Sequence, residues 1–147
     1  MTEGSGGHLE HEGLTEQIIG AAIKVQRALG NGLLESAYEA CLAFELGCSG
    51  LKVETQVPLE IRYGALVVPN AYRMDMIVDE TILVELKTIE KILPVHEAQA
   101  MTYLRFKRLR VGLILNFWAW PLKDHGIKRI LNPRLSPLPS APPLPSA

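Results

Sequence analysis

The stretch Val84-Glu85-Leu86-Lys87 sets an acid and a base two residues apart inside an apolar, β-branched run. Side chains of a strand alternate with period two, so Glu85 and Lys87 project from one face while Val84 and Leu86 take the other. Burying charges in so apolar a setting costs on the order of several kcal/mol unless they are partnered. A metal ion is one such partner. Asp75, in the preceding run Tyr72-Arg73-Met74-Asp75-Met76-Ile77-Val78, supplies a second carboxylate, and hard oxygen ligands of this kind suit Mg²⁺ or Mn²⁺. The alternative is an edge hairpin whose acids and lysine simply face water.

The two readings differ in register. With Asp79 and Glu80 as a plain two-residue loop, Val78 pairs with Thr81 and Asp75 lies opposite Val84, on the wrong face for Glu85. An odd-length loop over residues 79–81, or a bulge, pairs Asp75 with Glu85 instead. The metal-site reading requires the second arrangement.

Net charge is −1, which by itself says nothing about partners, but its distribution is uneven. Residues 1–50 carry two basic and seven acidic side chains, whereas residues 105–134 carry eight basic ones against Asp124 alone. A basic segment beside a candidate metal site points to a phosphate backbone as ligand. Arg73, Arg105, Lys107, Arg108, Arg110, Lys128 and Arg129 are the expected nucleic-acid contacts. A solvated basic face is the competing explanation.

Elements must position these residues. A chain of 147 residues fits one domain, no apolar run reaches the length of a membrane span, and no signal peptide precedes the first charges, so the cytoplasm is the default compartment. Residues 1–13 lack periodicity and read as a disordered tail. Thr15 is placed to cap a first helix, with Leu14 and Ile19 as a hydrophobic staple, and Gly30-Asn31-Gly32 ends it. A second helix spans about Leu34 to Leu46, with Leu34, Tyr38, Cys41, Leu42 and Phe44 as apolar surface and Gly47 as stop. Glu35 falls in its first turn, where the helix dipole favours a carboxylate. Cys41 and Cys48 read as buried thiols.

Strands follow at Lys52–Val57 and Leu59–Tyr63, separated by Pro58, and a turn at Gly64 leads to a short apolar piece ending at Pro69-Asn70 and then the central hairpin. A third helix, about Val95 to Lys107, carries His96, Gln99 and Tyr103 on one face. A buried strand spans Arg110–Phe117, and a short basic element spans Ile127–Leu131. From Asn132 the chain holds six of its ten prolines and is expected to be extended and mobile.

Gly32-Leu33-Leu34-Glu35-Ser36-Ala37-Tyr38 matches the G-x-x-E-x-x-Y motif, and the chain resembles the GxxExxY protein family further through Tyr72-Arg73-Met74-Asp75, Val84-Glu85-Leu86-Lys87, Pro94-Val95-His96-Glu97-Ala98-Gln99, Leu109-Arg110-Val111-Gly112-Leu113 and Asp124-His125-Gly126-Ile127-Lys128-Arg129. That family is similar to the PD-(D/E)XK nuclease superfamily. The resemblance implies an α/β fold with a mixed central β-sheet flanked by helices, a restriction-endonuclease-like core over residues 14–131. It also implies roles. Asp75 resembles the acid of the first superfamily motif, Glu85 and Lys87 its E-x-K, and Glu35 the acid that many members contribute from a preceding helix. Gln99 and Tyr103 resemble the Q-x-x-x-Y that RecB-type nucleases carry. Gln26 stands where relatives often have His, and Asn31 where they often have Pro.

The expectation is therefore a nuclease that holds Mg²⁺ or Mn²⁺ through Asp75 and Glu85, helped by Glu35, and hydrolyses phosphodiester bonds of nucleic acid, DNA being favoured. Lys87 orients the attacking water or stabilises the transition state, and Gln99 and Tyr103 hold the phosphate or the water. The main rival is a non-catalytic nucleic-acid-binding or protein-interaction module on the same fold, and a third reading makes the Pro-rich tail a ligand for aromatic grooves. No membrane association is expected, and oligomeric state is open.

Overall fold

The computed structural model describes residues 11–133. Two apolar runs form the middle of its sheet, as strands buried on both faces must. β3 (Ile82–Lys87) is buried at every position before Lys87, and β4 (Val111–Asn116) is buried throughout. They pair in parallel from Ile82↔Val111 to Lys87↔Asn116. Parallel neighbours need a long crossover, which α3 (Pro94–Lys107) provides. β1 (Val53–Tyr63) and β2 (Leu66–Val78) form a long antiparallel ribbon that joins β3, and β5 (Ile127–Leu131) runs antiparallel to β4. The strand order is β1-β2-β3-β4-β5, a mixed sheet.

Helices cover both faces. α1 (Glu12–Leu29) and α2 (Glu35–Cys48) bury Ile18, Ala22, Tyr38 and Leu42 against Met76, Val78, Val84, Leu86, Leu113 and Leu115. On the other face α3 sets Ala100, Tyr103 and Leu104 on Leu59, Met74, Ile77, Leu83, Ile114 and Ile130. Gly112 permits the close approach there, because a Cβ at this position would already touch Leu104 and Leu83 at 3.4–3.5 Å. The alternation of cores along β3 leaves Glu85 and Lys87 on the α3 side.

Several element boundaries differ from expectation. α1 starts at Glu12, so Thr15 lies inside the helix as a buried residue and its hydroxyl donates to the His11 and Glu12 carbonyls (3.2 and 3.0 Å). A helical turn in front of Thr15 makes it a back-bonding residue where a cap was expected. Leu34 and Phe44 face outward, 77% and 68% exposed, because Tyr38, Leu42 and Leu46 already fill the buried stripe of α2. Gly47 does not stop α2; reversal waits for Gly50 (φ +86°). Cys48 is exposed and Cys41 half-buried, both free, which corrects the expected buried thiols.

Pro58 lies within β1 without breaking it, since the strand forms the sheet's edge. The Pro69-Asn70 piece is part of β2. A short helix, α4 (Leu122–His125), precedes β5 and follows a cis Trp120–Pro121 bond. Residues 1–10 and 134–147, with most of both expected tails and with Arg134, lie outside the described residues. Among the described residues no helix is long and apolar enough to cross a membrane.

Candidate active site

The β2–β3 turn sets the phase of the site. Asp79 and Glu80 both take left-handed φ (51° and 57°), and the Thr81 amide donates to the Val78 carbonyl at 2.9 Å. That is the backbone of a tight two-residue turn. Strand pairing nevertheless begins one residue later, at Val78↔Ile82, and continues through Ile77↔Leu83 and Met76↔Val84. Thr81 is the extra residue. The next pair in this register is Asp75 with Glu85, the arrangement the metal-site reading requires.

The regular ladder gives way at that pair. The Asp75 amide donates to Glu85 Oε2 at 3.0 Å, and the Leu86 amide donates to Asp75 Oδ2 at 2.9 Å. Side-chain carboxylates therefore replace backbone carbonyls as acceptors between the two strands. The pleat changes phase at the same level. Met76 and Val78 pack under α1 and α2, whereas Met74 packs under α3, so residues two apart point to opposite faces. On β1 the switch falls at Gln56, whose φ is 52°: Val53 belongs to one core and Val57 to the other. Asp75 sits at this break.

The electrostatics follow from burial. Glu85 is only 6% exposed. Burial and, after it, the Asp75 charge push its carboxyl up to about 8; the Asp75 amide and Lys87 oppose the shift. Two adjacent carboxyl groups with one half-buried lysine resist ionising together, and a hard divalent cation is the kind of ligand that would favour the doubly charged pair. One oxygen of each is committed to a backbone amide, leaving the other to face a ligand. Among the described residues no three His, Cys, Asp or Glu side chains converge on one cation position. Two carboxylates, with water and substrate completing the shell, match the way Mg²⁺ is usually held.

Glu35 is exposed at the first position of α2 and accepts from the Thr88 amide at 3.2 Å, just past Lys87. Its contribution to the Glu85 carboxyl is smaller than that of Asp75 or Lys87. The structure brings it to the rim of the site and not into a three-carboxylate set, because its oxygen anchors the chain end of β3. Tyr38, one turn further on, stacks on Phe117 (4.4 Å, 14°) and ties down the α1–α2 connection by accepting from the Leu33 amide and donating to the Gly30 carbonyl. The spacing of Glu35 and Tyr38 thereby seats the start of α2 against the end of β3.

Gln26 is buried and saturated. Its amide nitrogen donates to the Phe117 and Ala119 carbonyls (2.9 and 2.7 Å), and its oxygen accepts from the Leu122 amide (2.8 Å). It holds the 117–122 turn and has no atom free for a cation. Asn31 donates to the Trp118 carbonyl nearby. Asn116, paired with Lys87 across β3–β4, brackets Ile89 with both amide atoms and fixes the segment leaving the site. Sequence reasoning missed Asn116, Glu39 and Gln56. Glu39, raised above its ordinary value by burial, accepts from Gln56 at 2.8 Å beside the acids.

On the α3 side, Tyr103 is buried next to the carboxylates, its hydroxyl pushed up to about 12 by burial and then by the Glu85 charge. His96 accepts from the Leu93 amide at 2.9 Å as part of the helix cap, which accounts for it structurally. Gln99 is exposed on the wall of a cleft of about 290 Å³ that Tyr72, Val95, Ala98, Thr102 and Tyr103 complete.

The expected phosphate contacts do not share one place. Arg73 lies one residue before Met74 and donates to the Gln56 carbonyl. Arg105, Lys107, Arg108 and Arg110 lie where α3 ends and β4 begins, level with the Ile82 end of β3 and away from Lys87. Lys128 pairs with Glu97 of α3 at 3.8 Å, whereas Arg129 reaches Thr15 of α1 at 3.3 Å. Adjacent positions on β5 point to opposite faces, so a basic run in sequence is not a basic surface.

A family model described as the PD-(D/E)XK nuclease superfamily matches residues 12–130. A crystal structure of a protein designated SSO0001 superimposes with a TM-score of 0.50 at 23% identity, covering 86% of this chain and 62% of that one, and so supports the fold alone. This chain thus spans less than two thirds of that protein's length. No curated protein gives a significant match.

Proposed function

The chain belongs to the PD-(D/E)XK nuclease superfamily, and from that premise we propose that it is a divalent-metal-dependent nuclease hydrolysing phosphodiester bonds of nucleic acid, with DNA as the favoured substrate, in the manner of the GxxExxY family. The observation that carries this reading is the pairing of Asp75 with Glu85 at a break in the ladder, with Lys87 on the face of Glu85. Asp75 and Glu85 would hold the divalent cation, which when bound would supply acidification of a water and neutralisation of charge on the phosphate.

The chain's own residues do the rest. Backbone amides at positions 75 and 86 fix the two carboxylates before any ligand arrives, so little reorganisation is needed when charge develops. Lys87, two residues beyond Glu85, meets the reacting phosphate or orients the water. In the reaction a water oxygen bonds to phosphorus, the bond to the leaving sugar oxygen breaks, and the water proton passes to solvent or to a side chain of the site. Gln99 and Tyr103 border the path of the substrate from the α3 side. Glu35 holds the Thr88 amide and so steadies Lys87.

Cleavage of a panel of single-stranded and duplex DNA and RNA, in Mg²⁺, Mn²⁺ and chelator, tests the proposal. Cutting in either metal and none in chelator is the expected result. Calorimetric titration of Asp75→Ala and Glu85→Ala should show severely weakened cation binding in each. A chain that binds nucleic acid and cuts none of the panel, or unchanged metal affinity in both variants, removes the mechanism.

A further inference from the structure

Resting on the nuclease reading, we infer that the cleft between β2 and α3 is a nucleobase subsite, so that the substrate presented to Asp75 and Glu85 is an unpaired, unstacked nucleotide of a single strand, and Tyr72 is its stacking platform. Tyr72 is two residues from Met74 in an unbroken run of pairs, Val57↔Met74 to Leu59↔Tyr72, so alternation sets it on the same face as Met74, just before the ribbon becomes irregular. Pairing shifts between Leu59↔Tyr72 and Ile61↔Val68, and Asn70 takes φ 53° within the bulge. On the α3 side Tyr72 leans on Tyr103, with ring centroids 5.8 Å apart and planes at 53°. The contact is tilted, and Tyr72 remains 46% exposed, so much of its ring has no partner within the chain.

The cleft's chemistry suits a base and not a phosphate. Its lining of Tyr72, Val95, Ala98, Gln99, Thr102 and Tyr103 contains no lysine or arginine. A volume of about 290 Å³ is at the small end for ligand pockets and fits one or two planar rings. Thr102 spends its hydroxyl on the Ala98 carbonyl, which leaves the Gln99 amide and the Tyr72 and Tyr103 hydroxyls as the polar groups of the lining that a base edge or sugar could meet. Tyr103 belongs to both places: it lines the cleft, and its hydroxyl feels the Glu85 and Asp75 charges. The base and the scissile phosphate of one nucleotide would therefore occupy adjacent positions. A base inside a duplex has both faces covered by its neighbours and must be extruded at a cost of about a few kcal/mol, so a single strand, a flap or a frayed end offers a face to Tyr72 most readily. Stacking on an aromatic ring tolerates any base, which makes the subsite selective for strandedness and not for sequence.

Fluorescence anisotropy of a labelled thymidine decamer on the full chain, in chelator so that nothing is cut, reads the subsite independently of catalysis. Tyr72→Ala should weaken binding about tenfold, and Tyr72→Trp should bind at least as well as wild type. Replacing the bases by abasic sugars should abolish the difference between wild type and Tyr72→Ala. The inference is overturned if wild type fails to bind the decamer, if Tyr72→Ala binds as tightly as wild type, or if its deficit persists on the abasic strand. Binding with these properties but no cleavage on adding Mg²⁺ would leave the subsite standing and remove the nuclease reading alone.

Discussion

Gln26 and Glu85 are both polar side chains sunk in the core, 2% and 6% exposed, yet their surroundings are opposites. Gln26 is neutral, and both its amide atoms are met by backbone groups of the 117–122 turn. Glu85 has surroundings that oppose its charged form: one oxygen meets the Asp75 amide, but burial and the neighbouring Asp75 charge outweigh that amide and Lys87 and push the carboxyl up to about 8. A satisfied buried network makes structure and gains nothing from a ligand. An unsatisfied one lowers the stability of the empty chain and holds that free energy available for whatever neutralises it. The contrast separates scaffold from site without reference to any motif.

The strongest way to break the contrast is Lys87→Ala. If the cluster around Glu85 is catalytic, single-turnover cleavage at saturating Mg²⁺ should fall by on the order of a hundredfold or more, with metal and nucleic-acid binding nearly intact. Partial rescue by Lys87→Arg would assign an electrostatic role, since a planar guanidinium preserves charge but not shape. Turnover equal to wild type would make the cluster another piece of scaffold.

Gln26→Ala tests the other side. Three backbone groups would lose their buried partner, so the cost should be on the order of 3 kcal/mol in denaturant unfolding, while the folded fraction should bind cations as wild type does. Loss of cation affinity without loss of stability would place Gln26 in the site.

A third test compares the pH dependence of stability. Glu85 binds its proton more tightly in the folded chain, up to about 8, than at its ordinary value of 4.5, so its effect is most favourable below about 4.5. As pH rises from there toward about 8 the unfolded chain releases the proton first, and stability must fall across that window. Metal-free wild type should melt lower at pH 8 than at pH 5. Glu85→Gln should flatten the slope and melt higher than wild type at pH 8, on the order of 5 °C, as should wild type in saturating Mg²⁺. A Glu85→Gln variant less stable than wild type at pH 8 would show that the carboxylate is structural after all.

The smallest effect is expected at Arg105, Lys107 and Arg108. They are exposed and lie at the opposite end of β3 from Lys87. Replacing all three by Gln should reduce the salt slope of binding by at most about 0.7 per lost contact on a single strand and leave turnover unchanged. A large fall in turnover would mean that these cations track the substrate into the site.

The chemistry-bearing core of this arrangement is legible in the sequence because it is local. The apolar run flanking Glu85 and Lys87 specifies a buried strand, and the wish to bring Asp75 beside Glu85 specifies an odd turn, which Thr81 supplies. What is hidden depends on partners far along the chain. The acceptors of Gln26 are 91 and 93 residues away, so nothing near it in sequence marks it as a hub. Glu39 and Gln56 meet across 17 residues through a left-handed backbone turn at Gln56, a conformation no side chain there announces. Leu34 and Phe44 looked like core by periodicity, because helical spacing identifies apolar stripes but not which stripe wins the sheet. The basic run from Arg105 to Arg129 suggested one surface, and strand alternation with a change of element divided it.

The carboxylates of Asp75 and Glu85 are also rungs of the ladder joining β2 to β3. On the proposed reading, cation binding and the closeness of the two strands would therefore draw on the same two carboxyl groups. A cation bound to the free oxygen of either group would withdraw electron density from the oxygen that accepts the amide proton, and a proton on Glu85 would do so more strongly. The amides of residues 75 and 86 thus serve as a gauge built into the backbone: their resonance positions and exchange rates would report loading of the site from the centre of the sheet, with neither substrate nor turnover required.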